Sequence, residues 1–191
     1  MAKVNKKKTV DNWKKKKWYI IESDSVFENK EIGKTVALDS KELVGRTIKK
    51  TLDQITNSFR DSAYTLLFKI DKVTATKAET KLQEFNTKPG NIKRLARRGK
   101  SKIDNIIYVT TKDGVKLKLK TLFITGTKFT TTLRKESRNL IEEYFLNEIS
   151  TKTLSETWNE ILNKKICEKL KKKLVKLGYI NKIMVVRAKI I

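Results

Sequence analysis

The segment IDNIIYVTTKDGVKLKLKTLFIT, residues 103–125, decides how the rest of the chain is read. Asp113-Gly114 is a pair preferred by two-residue hairpin turns, in which both central residues take positive φ. Beyond it Val115, Leu117 and Leu119 alternate with Lys116, Lys118 and Lys120. Successive side chains on a strand point to opposite faces, so one face enters a core and the other carries cations roughly 6–7 Å apart. Lysines placed this way also guard a sheet edge against pairing with another sheet, and the two roles are compatible.

Period-two patterning extends towards the N-terminus. WYII (18–21) begins the ordered sequence, with Trp18 expected as the first core anchor. LVGRTIKKTL (43–52) alternates loosely, and YTLLFKIDKV (64–73) is a dense apolar run with β-branched support. Residues 18–125 therefore read as strand-rich. One short helix interrupts them in GNIKRLARRGKSKID (90–104). There Ile92, Leu95 and Ala96 follow helical spacing, Lys93, Arg94, Arg97 and Arg98 face outward, and Gly99 suits the helix end. A helix this short must be held by the sheet.

After Gly126 the period changes. Residues 134–149, with Leu140, Ile141, Tyr144 and Phe145, read as an amphipathic helix. Thr153 and Glu156 have the spacing of a capping box that opens a second, longer helix. Its stripe is Leu154, Trp158, Ile161, Leu162, Ile166, Leu170, Leu174 and Leu177, edged by lysines that include Lys164, Lys169 and Lys176. A basic amphipathic helix can lie on an anionic membrane, but this stripe is more simply needed to cover one face of the sheet. Gly178 closes the helical part (134–177), and a final strand (179–189) carries Arg187 among β-branched residues. Ahead of everything, residues 1–17 form a basic arm with only Val4, Val10 and Trp13 to bury, expected to order against a partner. Residues 18–191 are read as a single domain.

The charge balance names the kind of partner. Against 21 Asp+Glu stand 45 Lys+Arg, a formal net charge of +24, and self-repulsion of that size is relieved by a polyanion. The chain has no histidine, which removes the commonest general base and transition-metal ligand. The lone Cys167 excludes an internal disulfide and a cysteine-cluster metal site. No cofactor is expected. No run approaches the roughly 20 apolar residues of a membrane span, and no apolar stretch follows the basic N-terminus as in a secretory signal, so the protein is read as intracellular and soluble.

Two tripeptides, Gly33-Lys34-Thr35 and Gly99-Lys100-Ser101, end like a phosphate-gripping loop. A working loop also needs a glycine five residues earlier, so that successive N–H groups can curl towards the phosphates. Glu28 and Arg94 stand there instead. A phosphate-loop hydrolase is therefore disfavoured. Candidate phosphate contacts are instead Lys14, Lys15, Lys16 and Lys17 in the arm; Lys93, Arg94, Arg97, Arg98, Lys100 and Lys102 around the short helix; and Lys116, Lys118 and Lys120 on the hairpin. Trp13 and Trp18 flank the arm lysines and offer stacking surfaces. No recognition helix, zinc-finger spacing or aromatic RNA-recognition signature marks a sequence-specific reader.

Several stretches taken together resemble the archaeal and eukaryotic small-subunit ribosomal protein family S3Ae. They are KKKWYII, Phe27 with Ile32-Gly33-Lys34-Thr35, LVGRTI, LDQITNSF, RLARRGKSKID and TTKDGVKLKLK, in this order from Trp18 to about Arg187. The resemblance implies a β-barrel-like domain with helices, on the small-subunit platform near the mRNA exit and the 3′ end of the rRNA. It brings Lys34 and Arg46 into the expected rRNA-binding set and makes the protein a non-enzymatic constituent of the particle. Its partners would be small-subunit rRNA, neighbouring ribosomal proteins and mRNA near the exit channel, with no membrane and no homo-oligomer. Ser23-Asp24 departs from an Ala-Pro pair of the family, EFNTKPGN (84–91) from a Gly-His-containing run, and Ile180 from a proline. The expected fold is α+β: a mostly antiparallel barrel or sandwich covered by C-terminal helices, with a basic N-terminal arm. A free-standing nucleic-acid-binding protein, an RNA chaperone or a DNA compactor, is the alternative.

Overall fold

A computed structural model describes residues 12–174, 178 and 180–191. The arm residues Val4 and Val10, and Lys176, Leu177 and Tyr179 near the last helix, lie outside the described residues, as does the side chain of Lys14. The strands are β1 (Lys17–Glu22), β2 (Glu31–Ala37), β3 (Thr47–Thr51), β4 (Tyr64–Thr74), β5 (Lys77–Thr87), β6 (Lys102–Thr110), β7 (Lys116–Thr125) and β8 (Ile180–Ile190). The helices are α1 (Leu52–Thr56), α2 (Pro89–Leu95), α3 (Thr131–Ser150), α4 (Leu154–Leu162) and α5 (Lys165–Leu174). The fold is α+β, with strand pairing mostly antiparallel.

The long strand β5 organises the sheet. On one edge it pairs along its length with β4, which in turn pairs with β3. On the other edge its first residues run parallel to β1, from Ile20↔Lys77 to Glu22↔Glu79, while its last residues meet β8 antiparallel, from Glu84↔Lys189 to Asn86↔Arg187. One limb therefore continues through β1 to β2 and the other through β8 and β7 to β6. Arg46 ties β2 to the entry of β3: its Nη1 donates to the Val36 carbonyl at 3.1 Å and its Nε to the Glu42 carbonyl at 3.0 Å.

Three apolar clusters fill the space around this sheet. The largest joins Phe68, Phe85, Leu117, Leu119 and Phe123 to Phe145, Trp158, Ile166 and Leu170 beneath the C-terminal helices. A second gathers Tyr19, Ile21, Ala37, Leu43, Ile70 and Ala78 within the β1–β2 limb. The third lies on the opposite face of β7 and β8, where Ile92 and Leu95 of α2 cover Leu122, Ile124, Met184 and Val186. The far halves of β7 and β8 are thus buried on both faces, which explains their near-continuous apolar run.

Several local expectations fail for identifiable reasons. The β6–β7 connection is not a two-residue turn. Thr111 donates to the Val115 carbonyl and Gly114 to the Thr111 carbonyl, leaving Lys112, Asp113 and Gly114 as a three-residue loop with Gly114 alone at positive φ, 76°. That is a type I turn closed by a left-handed glycine. Asp113 is put to other use, its Oδ2 accepting from the Leu154 N–H at 2.7 Å at the start of α4.

The long C-terminal helix is broken. The capping box of Thr153 and Glu156 is present, but α4 ends at Leu162 and Lys164 takes a left-handed φ of 61° before α5. Apolar residues at repeated i,i+4 spacing drift by about 40° per step around a helix. A straight helix would carry Leu170 and Leu174 away from the sheet that Trp158 faces, and the break restores the phase. Trp18 is 66% exposed rather than a core anchor, because strand parity sends Tyr19 and Ile21 inward. Leu140 is also exposed, at 41%, while Ile141, Tyr144 and Phe145 are buried. The basic helix stops at Leu95, so Ala96 is exposed and Gly99, at φ 80°, belongs to a later turn.

Where Ser23-Asp24 departs from the family pattern, Asp24 Oδ2 accepts the Leu82 N–H at 3.0 Å and so fastens the exit of β1 to β5. Lys152 plays a similar part between helices, donating at 2.6 Å to Glu148 on α3 and at 2.6 Å to Glu160 on α4. The hydrogen bond from Lys152 holds the Glu148 carboxyl below its ordinary value. Burial alone would push the Lys152 amine down, but its two carboxylate bonds outweigh that and hold it up. A carboxyl held low adds stability that is complete above its unfolded pKa, about 4.5 here, and is lost as pH falls through the folded value. Lys152→Met should therefore destabilise the protein near neutral pH by roughly 1–3 kcal/mol, and the difference should shrink on acidification below about pH 4.5. Urea unfolding across pH checks this; a difference independent of pH would contradict it.

Candidate nucleic-acid interface

The interface follows from strand register. β6 and β7 pair without a shift, placing Tyr108 opposite Lys118, Ile106 opposite Lys120 and Lys102 opposite Ile124. β7 and β8 set Lys118 against Lys189 and Lys120 against Arg187. Directly opposed residues on neighbouring strands share a face. Lys116, Lys118 and Lys120 therefore lie on the side of the sheet that Leu122 and Ile124 present to α2, while Leu117 and Leu119 point into the main core. The same face thus changes character along its length: near the β6–β7 turn it is open and cationic, and farther on it is apolar and roofed by α2.

The roof is itself basic. Lys93 and Arg94 are exposed on α2, and Arg97 and Arg98 are exposed in the segment that follows it. Lys100 is half-buried, with its N–H bonded to the Arg97 carbonyl at 3.4 Å. Lys102, next along, pairs with Asp104 at 3.0 Å. Among the described residues, Lys93, Arg94, Arg97, Arg98, Lys100, Lys118, Lys120 and Lys189 make no salt bridge. The cations around the short helix and those of the hairpin, far apart in the chain's patterning, are thus brought to one side of the sheet.

The other candidates sit on the β1–β2 limb. Lys15 and Lys17 are exposed at the start of β1, and Lys16 lies 4.4 Å from the ring centroid of Trp13. Lys34 stands on β2 opposite Ile20, 4.0 Å from Glu31. Arg46 faces Glu42 and the β2 backbone, so much of its donor capacity is spent within the fold. Among the described residues, this limb joins β8 only through β5, with which β1 and β8 both pair.

Both loop-like tripeptides are structural. Gly33, Lys34 and Thr35 lie in the middle of β2, paired with Ile21, Ile20 and Tyr19, so no loop cradles an anion there. Ser101 is buried. Its Oγ accepts the Phe129 N–H at 2.9 Å, and its own N–H donates to Thr125 Oγ1 at 2.9 Å. Arg134 Nη2 also reaches Ser101 Oγ, at 3.3 Å, fastening α3 to the start of β6. Cys167 is buried, and burial pushes its thiol up to about 11, far from a reactive thiolate.

Sequence reasoning did not pick out Tyr108, Ile106 or Lys189, nor a role for Arg187. The last is held by Glu84 through two bonds, Nε to Oε1 at 2.7 Å and Nη2 to Oε2 at 2.9 Å. Period-two parity alone puts Tyr108 and Ile106 on one face of β6. Only the β6–β7–β8 register shows that this face is the lysine face.

A cationic sheet face continued by a basic helix is an arrangement suited to a polyanion. The chain belongs to the Ribosomal S3Ae family, whose pattern matches residues 4–191. It is 31% identical over 191 residues to the small ribosomal subunit protein eS1 of Methanothermobacter thermautotrophicus, covering 100% of this chain and 98% of that one. It is 30% identical over 192 residues to the protein of the same name from Methanobrevibacter smithii, covering 100% of each. With that of Staphylothermus marinus it shares 34% over 181 residues, 95% of this chain and 85% of the other.

The Ser101 network distinguishes a structural hydroxyl from a phosphate ligand. Ser101→Ala leaves the buried Phe129 N–H without its acceptor and should cost about 1–3 kcal/mol in urea unfolding. ATP titration should give no stoichiometric binding to either form. Unchanged stability, or nucleotide binding lost in the variant, would contradict this assignment.

Proposed function

We infer that this protein is a structural, non-enzymatic constituent of the small ribosomal subunit that binds and stabilises its rRNA. The position we propose is the platform near the mRNA exit and the 3′ end of the rRNA, with residues 18–191 acting as one folded unit. The reading is supported by family membership, by relatives named as small-subunit proteins along their whole length, and by the +24 charge. The observation that carries it is the meeting of two cation sets, from the hairpin and from α2 with the segment after it, on one side of the sheet.

Phosphate contact by lysine and arginine works through charge and counterion release, with arginine adding a two-pronged grip. A surface of this kind follows a backbone without reading bases, as a scaffold for folded RNA requires. Neighbouring ribosomal proteins would meet uncharged parts of the surface. Phe59, 93% exposed between α1 and β4, is the clearest such place, since a large apolar side chain gains most from a covering partner. Messenger RNA near the exit channel is a further contact of the proposed position.

Endogenous protein should sediment almost wholly with small subunits and ribosomes at moderate salt. Replacing both Arg97 and Arg98 with Ala should weaken rRNA association and flatten its salt dependence by up to roughly one unit of slope per lost phosphate contact. A mostly free pool would favour a free-standing nucleic-acid-binding protein instead, and an unchanged slope would turn these arginines towards another partner.

A further inference from the structure

We propose that the groove over β6, β7 and β8 holds an unpaired nucleotide of the small-subunit rRNA, its base stacked on Tyr108 and its phosphates met by Lys118, Lys120 and Lys189. This deepens the proposed function and rests on its reading of rRNA as the partner. The groove encloses about 740 Å³, within the roughly 300–1,000 Å³ of sites that take small ligands. That volume suits one or two nucleotides.

Its walls are set out as a grid by strand register. One row runs Tyr108, Lys118, Lys189 and the next Ile106, Lys120, Arg187. Tyr108 is 61% exposed and Ile106 is exposed beside it, an aromatic and an aliphatic surface without cover. Lys118 Nζ stands 5.2 Å from the Tyr108 ring centroid. The ammonium thus covers one face of the ring, and a base stacking there would displace it towards the nucleotide's own phosphate. Arg187 is neutralised and fixed by Glu84, so it forms part of the floor while the three lysines keep their charge for a ligand.

An aromatic ring flanked by unpaired cations is the combination that binds single strands, with stacking supplied by the ring and backbone attraction by the lysines. Paired RNA keeps its bases inside the helix and cannot offer a face to Tyr108. A neighbouring acidic protein segment would engage the lysines but would not call for the exposed ring. Lys93 and Arg94 of α2, whose Ile92 and Leu95 cover the same face farther along, offer flanking nucleotides further cations. That favours a strand that stays in place, as rRNA does, over a messenger that passes.

The full-length protein should be titrated by fluorescence anisotropy with a labelled oligoadenylate and with an RNA duplex of equal length. The single strand should bind tighter. Tyr108→Leu should weaken it roughly tenfold without changing the salt slope, and Tyr108→Phe should restore it. Lys118→Ala with Lys189→Ala should instead lower the slope by roughly one to two units. In intact small subunits, ultraviolet crosslinking should give an rRNA adduct on the peptide containing Tyr108, retained after messenger is stripped. Unaltered oligoadenylate binding by Tyr108→Leu, or an adduct with messenger or protein alone, would overturn the proposal. If the protein cosediments with small subunits while Tyr108 has no effect, only the stacked nucleotide fails. If it is absent from the particles yet binds oligoadenylate through Tyr108, the ribosomal reading fails and the rRNA source with it.

Discussion

Strand parity on β7 is the constraint from which the rest of this structure follows. Leu117 and Leu119 must face the helices, which forces Lys118 and Lys120 to the opposite side and brings Leu122 and Ile124 out on that side as well. An apolar pair facing water there would be costly, and α2 covers it with Ile92 and Leu95. Covering it brings Lys93, Arg94 and the arginines that follow α2 to the lysine side. A packing requirement and an electrostatic surface are in this way one arrangement. Shifting the register of β7 by a residue would bury lysines in the main core and disperse the basic face together.

The same logic explains how so many like charges coexist with folding. Acidic residues are spent where the fold needs them: Glu84 fixes Arg187, Glu148 and Glu160 share Lys152, and Asp24 and Asp113 accept backbone N–H groups. Lys118, Lys120 and Lys189 on the sheet face, and Lys93, Arg94, Arg97, Arg98 and Lys100 around α2, are left without such partners among the described residues. Their mutual repulsion is a standing cost that a polyanionic partner would relieve. Lys118, Lys120 and Lys189 stand on strands and Lys93 and Arg94 on α2, so the fold sets where their backbone lies.

Local signals carried a good part of this architecture in the sequence. Alternation after Gly114 correctly divided β7 into core and surface, and Thr153 with Glu156 correctly opened α4. Lys93, Arg94, Arg97 and Arg98 were correctly read as outward-facing. What was missed depends on contacts distant in the chain. Trp18 looks like core until the pairing of β1 with β2 and β5 selects Tyr19 and Ile21 for the inside. Asp113-Gly114 favours one turn in isolation, yet Asp113 is drawn to the start of α4 and the loop takes an extra residue. Nothing local marks Lys164 as the break between α4 and α5, which comes from fitting a drifting stripe to a twisted sheet. Tyr108 and Lys189 join the candidate face only through the β6–β7–β8 register, which no single segment contains.

In the proposed function the lysine side of the sheet meets RNA, and lysine-acylation footprinting reads that side directly. Reaction rates at Lys102, Lys118, Lys120 and Lys189 would be compared by mass spectrometry in the free protein, in intact small subunits and in subunits treated with ribonuclease. Strong protection of these lysines in the particle, lifted by ribonuclease, is the expected result. Rates equal to those of the free protein, or protection that survives complete removal of RNA, would contradict it.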